Sequence, residues 1–150
     1  SVVLTLPMSL TTQTWTANKN SISINYGLLT FSLAIQEQYN RIGGTDDWPE
    51  YEVLAQTNWN YGIIPSSLNE NSIKRRKKLN KNENPFTRQT APIELTVQGR
   101  QITNWTPDRQ NVVGLLPQSP VASQQPTETL TLIPMGSARL RITAFPTIAK

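Results

Sequence analysis

Cysteine and histidine are both missing from this 150-residue chain. Their absence removes the thiolate and imidazole groups on which most zinc sites and most nucleophile-base pairs depend, so a Ser-His-Asp triad cannot be built. With no cysteine, nothing fixes the redox compartment, because reducing and oxidising surroundings are equally tolerable. No apolar run approaches the roughly 18 residues of a membrane span. The opening SVVLTLPMSL has no basic region and no cleavage-like end, so no targeting segment is expected. It also lacks an initiating methionine, and we expect a piece cut from a longer chain. Charge is sparse, at 16% of residues, and the net +4 has one source. Of fourteen Lys and Arg, six (Lys74, Arg75, Arg76, Lys77, Lys78 and Lys81) form one run, and the rest are outnumbered by ten acids. The basicity is local. A chain of this length and apolar content supports one core and one domain, residues 1–150.

What the chain does contain is alternation. In TLTLIPMGSARLRITAFP, residues 129–146, Leu130 and Leu132 share a side. After a turn-forming Pro134-Met135-Gly136, Ala138, Leu140, Ile142 and Ala144 fall opposite Arg139, Arg141 and Thr143. A period of two predicts two strands here, or one strand broken at a corner. Residues 1–10 read as a strand with Leu4, Leu6, Met8 and Leu10 on one face, limited by Pro7. The Thr-rich segment around Trp15 is compatible with another, and Asn18-Lys19-Asn20 is turn material. Ile22, Ile24 and Tyr26 alternate, and Leu29, Phe31, Leu33 and Ile35 resume the rhythm after Gly27, which marks either a hairpin or a bulge in one long strand.

Residues 36–59 read as a long ordered loop with short strands, and WNYGII as a short buried strand. Residues 66–90 form a polar surface excursion with some strand character. Ile93, Leu95 and Val97 alternate up to Gln98-Gly99-Arg100, a plausible turn, and residues 106–121 read as an ordered loop. No helix of convincing length and no repeat emerges. Many short strands with frequent turns predict an all-β fold, an antiparallel β-sandwich with long ordered loops, with the jelly roll as one form it can take.

Few side chains point to chemistry. Asp46, Asp47, Glu50 and Glu52 are acids that a hard cation takes, but their spacing matches no calcium loop, and a solvated acidic turn is the favoured reading. No metal, no cofactor and no catalytic residue is assigned. The basic run 74–81 has the composition of a phosphate-binding patch, with only Phe86 as an aromatic neighbour and no accompanying motif, so nucleic acid is not the expected partner. Indole and phenol faces stack on sugars, which makes Trp48, Trp59, Tyr61 and Trp105 candidates for carbohydrate contact. Each has a core or interdomain position as the plainer alternative.

Five strings occur here in a distinctive order: YGLLTFSLAI, RIGGTDDWPEYEV, NWNYGII, APIELTVQGRQITNWTPDRQNVVGLLPQSPV and ETLTLIPMGSARLRITAFP. Over nearly the whole length they resemble the C-terminal β-domain of bacterial proteins related to β-L-arabinofuranosidases. The resemblance implies a secreted or periplasmic glycoside hydrolase in which an (α/α) barrel performs catalysis through a glutamate and a zinc-bound cysteine cluster. This chain would be an accessory β-sandwich supporting that barrel, not itself an enzyme. It would have the barrel as its partner in the same polypeptide and a plant-type oligosaccharide as a potential ligand. None of the cysteines has a counterpart here, and residues 71–84 are the part least like the family. The other readings left open are an autonomous carbohydrate-binding module and, less favoured, a nucleic-acid-binding domain.

Overall fold

The computed structural model describes residues 2–75 and 82–149. The fold is all-β and antiparallel, a curled, sandwich-like sheet with long ordered loops. Among the described residues the strands are β1 (Leu10–Trp15), β2 (Ser21–Tyr26), β3 (Leu29–Leu33), β4 (Glu37–Gly44), β5 (Pro49–Ala55), β6 (Tyr61–Ile63), β7 (Ile73–Arg75), β8 (Ile93–Gln101) and β9 (Thr127–Pro134). The main sheet runs β1-β2-β3-β9-β8-β6, and β4 and β5 form a separate two-stranded arm. Strand β8 is long enough to hold two short partners on one edge, β7 against its first residues and β6 against its last.

Alternation is the reason for the sheet. Ile22, Ile24 and Tyr26 from β2, Phe31 and Leu33 from β3, Leu95 and Val97 from β8, and Leu130 and Leu132 from β9 all point into one core, with Phe145 among them. The β2–β3 connection is the hairpin option. Tyr26 pairs with Leu29, and Gly27 takes φ +56°, as a primed two-residue turn with glycine first requires. The expected turn at 18–20 is present as well, with Lys19 and Asn20 both left-handed at φ 58° and 53°.

The sheet is closed by the end of the chain. Ile22 N–H donates to Phe145 O and Phe145 N–H to Ile22 O, both at 2.8 Å. One step further, Ile63 N–H donates to Pro146 O at 2.8 Å and Ile148 N–H to Ile63 O at 2.9 Å. The tail therefore lies between β2 and β6 and satisfies backbone groups that an open sheet would leave as reactive edges. Phe145 is fully buried behind it.

Four sequence expectations need correction. Residues 2–9 do not form a strand. They stay exposed, with Val2, Val3, Leu4 and Leu6 at 62–99%, and only Leu10 enters β1, because no neighbouring strand lies there for them to pair with. Residues 98–100 are not a turn, since β8 continues to Gln101. Gly99 is needed for close approach: a Cβ there would sit 2.6 Å from Gly62 O and 2.5 Å from a Leu130 methyl. Residues 37–55 are not a long loop but the regular β4–β5 arm, with pairs from Glu37 and Ala55 to Gly44 and Pro49.

The last correction concerns residues 138–144, which keep the predicted alternation of exposure only as far as Ile142 and do not join a ladder. Their backbone groups are met by other partners. Glu37 Oε1 accepts from Arg139 N–H at 3.0 Å and Leu140 N–H at 3.1 Å, and Ser32 Oγ accepts from Ile142 N–H at 3.1 Å. The organising stretch is thus one strand, β9, followed by an irregular closing segment.

Candidate functional site

The side chains named for carbohydrate contact separate into two places. Trp48 sits at the tip of the arm, 82% exposed. Trp59, Tyr61 and Trp105 gather at the β6 end of the sheet. There Trp59 meets Trp105 edge to face, with ring centroids 5.1 Å apart and planes at 81°. Trp105 is buried, and its indole N–H donates to Gly114 O at 3.1 Å. Asn60 fastens the same corner, donating from Nδ2 to Ile102 O at 2.9 Å and Trp105 O at 3.1 Å while accepting from Gln101 Nε2 at 3.1 Å.

Tyr61 is also buried, and its hydroxyl donates to Glu128 Oε2 at 2.9 Å. Burial, then the bond to the carboxylate, holds its pKa above the ordinary tyrosine value. Neither Tyr61 nor Trp105 presents a ring face to solvent. Trp59 is half-buried and is shared by two depressions. One, of about 280 Å³, is lined by amides, including Asn58, Asn60 and Gln101. The other, of about 440 Å³, is a largely apolar groove between the arm and the sheet, walled by Ile35, Val53, Leu54, Val112, Leu140 and Ile142.

Several of the carboxylates are engaged in local structure. Asp46 pairs with Arg41 at 2.8 Å, Glu70 accepts from Leu10 N–H at 3.2 Å, and Asp108 accepts from the N–H groups of Gln110 and Val112. Glu37, unnoticed in the sequence, binds the tail as described and also accepts from the Tyr39 hydroxyl at 2.7 Å. Only a tertiary contact reveals that role, because its partners lie 102 and 103 residues away. Among the described residues no group of three or more acids is placed to hold a metal ion. No helix there is long and apolar enough to cross a membrane. Of the basic run, Lys74 lies exposed in β7, and residues 76–81 fall outside the described residues.

No protein-family model, curated protein or solved structure matches this chain.

Proposed function

We propose that this chain is a non-catalytic accessory domain of a glycoside hydrolase of the β-L-arabinofuranosidase-like type, whose role is to pack against and support a separate catalytic (α/α) barrel. The observation that carries the reading is the apolar groove beside the arm. Its lining includes two residues that stay uncovered, Val112 at 56% and Val113 at 46% exposed. Contiguous apolar surface of this kind marks a contact with another folded body. The family strings supply the identity of the neighbour.

Removing residues 1–150 from the parent polypeptide tests the reading. The barrel left behind is expected to lose thermal stability or soluble yield while keeping its own catalytic groups. A barrel that melts and turns over unchanged contradicts it.

The open ring of Trp48 favours one second reading, an autonomous carbohydrate-binding module. Arabinan oligosaccharides would then shift the tryptophan fluorescence of the isolated chain, and Trp48→Ala would abolish the shift. A spectrum indifferent to saturating oligosaccharide removes this alternative.

A further inference from the structure

Beside the first residues of β4, a cleft of about 340 Å³ is lined by Glu37, Tyr39, Phe86, Arg88, Arg139 and polar neighbours including Gln36 and Gln89. We propose that this cleft binds an acidic saccharide, with Arg88 and Arg139 holding a uronate carboxylate and Phe86 and Tyr39 offering ring faces to the sugar.

The electrostatic argument begins with the partners of each charge. Arg41 and Asp46 form the one ion pair among the described residues, so neither Arg88 nor Arg139 has a carboxylate counterion. Arg88 makes no hydrogen bond there either. Arg139 lies near enough to Tyr39 to work against the rise in that phenol's pKa, and its five N–H donors form no ion pair among the described residues. Glu37 is the one acid in the lining, and its oxygens are already occupied by two backbone N–H groups and the Tyr39 hydroxyl. The cleft therefore carries two guanidinium groups against one engaged carboxylate. Guanidinium is the side chain best shaped to grip a carboxylate with two parallel hydrogen bonds.

The remaining lining has the character of a sugar site. Phe86 is 64% and Tyr39 49% exposed, although both are large aromatics. Phe86 is held in place from below. A Cβ on Gly136 would lie 3.4 Å from its ring, so the ring rests on that backbone, and Ser137 Oγ donates to Pro85 O at 2.9 Å just before it. An aromatic platform with hydrogen-bonding amides beside it suits a ring with one apolar face and a hydroxylated rim. The volume lies in the range of small-ligand clefts. The choice of a saccharide over another carboxylate rests on the carbohydrate-active parent proposed above.

Calorimetric titration of the 150-residue chain with tri-galacturonic acid, a neutral galactose trisaccharide and tri-aspartate tests this. The uronate is expected to bind at least about tenfold more tightly than either of the others, and more weakly as salt is raised. Arg88→Gln and Arg139→Gln should each weaken uronate binding by about tenfold, and Phe86→Ala by a smaller factor. Arg88 is exposed and forms no ion pair among the described residues, so its variant decides the matter even if Arg139→Gln is unstable. Equal binding of the neutral sugar or of tri-aspartate, no binding of the uronate, or full affinity in Arg88→Gln overturns the proposal. Failure here leaves the accessory role standing, since that is read from the stability of the barrel. Success here with an indifferent barrel would instead leave a binding module.

Discussion

Both the curled sheet and the β4–β5 arm are made of paired antiparallel strands, yet they bury very different amounts of themselves. Strand β2 is buried at five of six positions, whereas β4 has none and β5 none. Backbone hydrogen bonds are therefore shared by both, and packing belongs to one. A lone two-stranded hairpin is marginal in water. The arm persists because it is fastened at its base, where Glu37 caps the tail, Gln36 N–H donates to Thr57 Oγ1 at 3.0 Å and Gln56 N–H to Gln36 O at 2.8 Å. The sheet supplies stability, and the arm spreads side chains over both flanking clefts. Edge-strand exposure is tempered by the arm's acids and by Pro49 at its start, features that discourage pairing with another chain.

The contrast breaks most sharply at Phe145. Phe145→Ala should cost about 3–5 kcal/mol in denaturant unfolding, because it empties a sealed site at the seam of the sheet. Truncating an exposed arm residue such as Tyr51 should cost no more than about 0.5 kcal/mol. Comparable losses at both would mean that the arm is part of the same packed unit. At the junction, Glu37→Gln should cost about 1–2 kcal/mol, since the two tail N–H groups would lose a charged acceptor. The same variant should bring the loss of amide protection at Arg139 and Leu140, and retained protection would remove Glu37 from its role.

Within the sheet, Ser21 is fully buried, and its hydroxyl has no hydrogen-bond partner. Ser21→Ala should raise stability by about 1 kcal/mol, because it deletes an unsatisfied polar group. A loss instead would reveal a bridging partner for that oxygen.

The smallest expected effect is alkaline. Tyr61 has its pKa raised chiefly by burial, and Tyr39 chiefly by its hydrogen bond to Glu37. A tyrosine that holds its proton more tightly when folded contributes stability that is complete below the unfolded pKa of about 10 and is lost as pH climbs through the folded value. Stability should thus decline above about pH 10, and Tyr61→Phe should flatten that decline more than Tyr39→Phe, whose phenol is half in water. The reverse order would place the electrostatic load on the arm.

Much of the sheet was legible because apolar and polar residues alternate along its strands. Ile22, Ile24 and Tyr26, or Leu130 and Leu132, announce a core through their spacing alone, while Gly27 left a hairpin and a bulge both open until the pairing of Tyr26 with Leu29 decided for the hairpin. The arm was not legible, because both faces of Glu37–Gly44 are largely exposed, and periodicity encodes burial rather than pairing. Gly99 misled for a related reason. Glycine signals a turn and a tight backbone approach alike, and only Gly62 and Leu130 across the sheet distinguish them. The arginine-lined cleft left no local trace either, since Tyr39, Phe86 and Arg139 are brought together from three distant segments. Sequence named the four aromatics only as candidates; that Trp59, Tyr61 and Trp105 share one corner, with Trp59 against Trp105 46 positions away, belongs to the fold.

The central claim is that the closed sheet is the folding unit and the arm is an attachment that opens independently. Native-state amide hydrogen exchange tests it most directly. Amides of Phe31, Leu95, Val97 and Leu132 should exchange only through global unfolding, while those of Tyr39, Arg41 and Val53 should exchange orders of magnitude faster through local opening. Uniform protection across both sets, or an arm more protected than β8 and β9, would contradict the account.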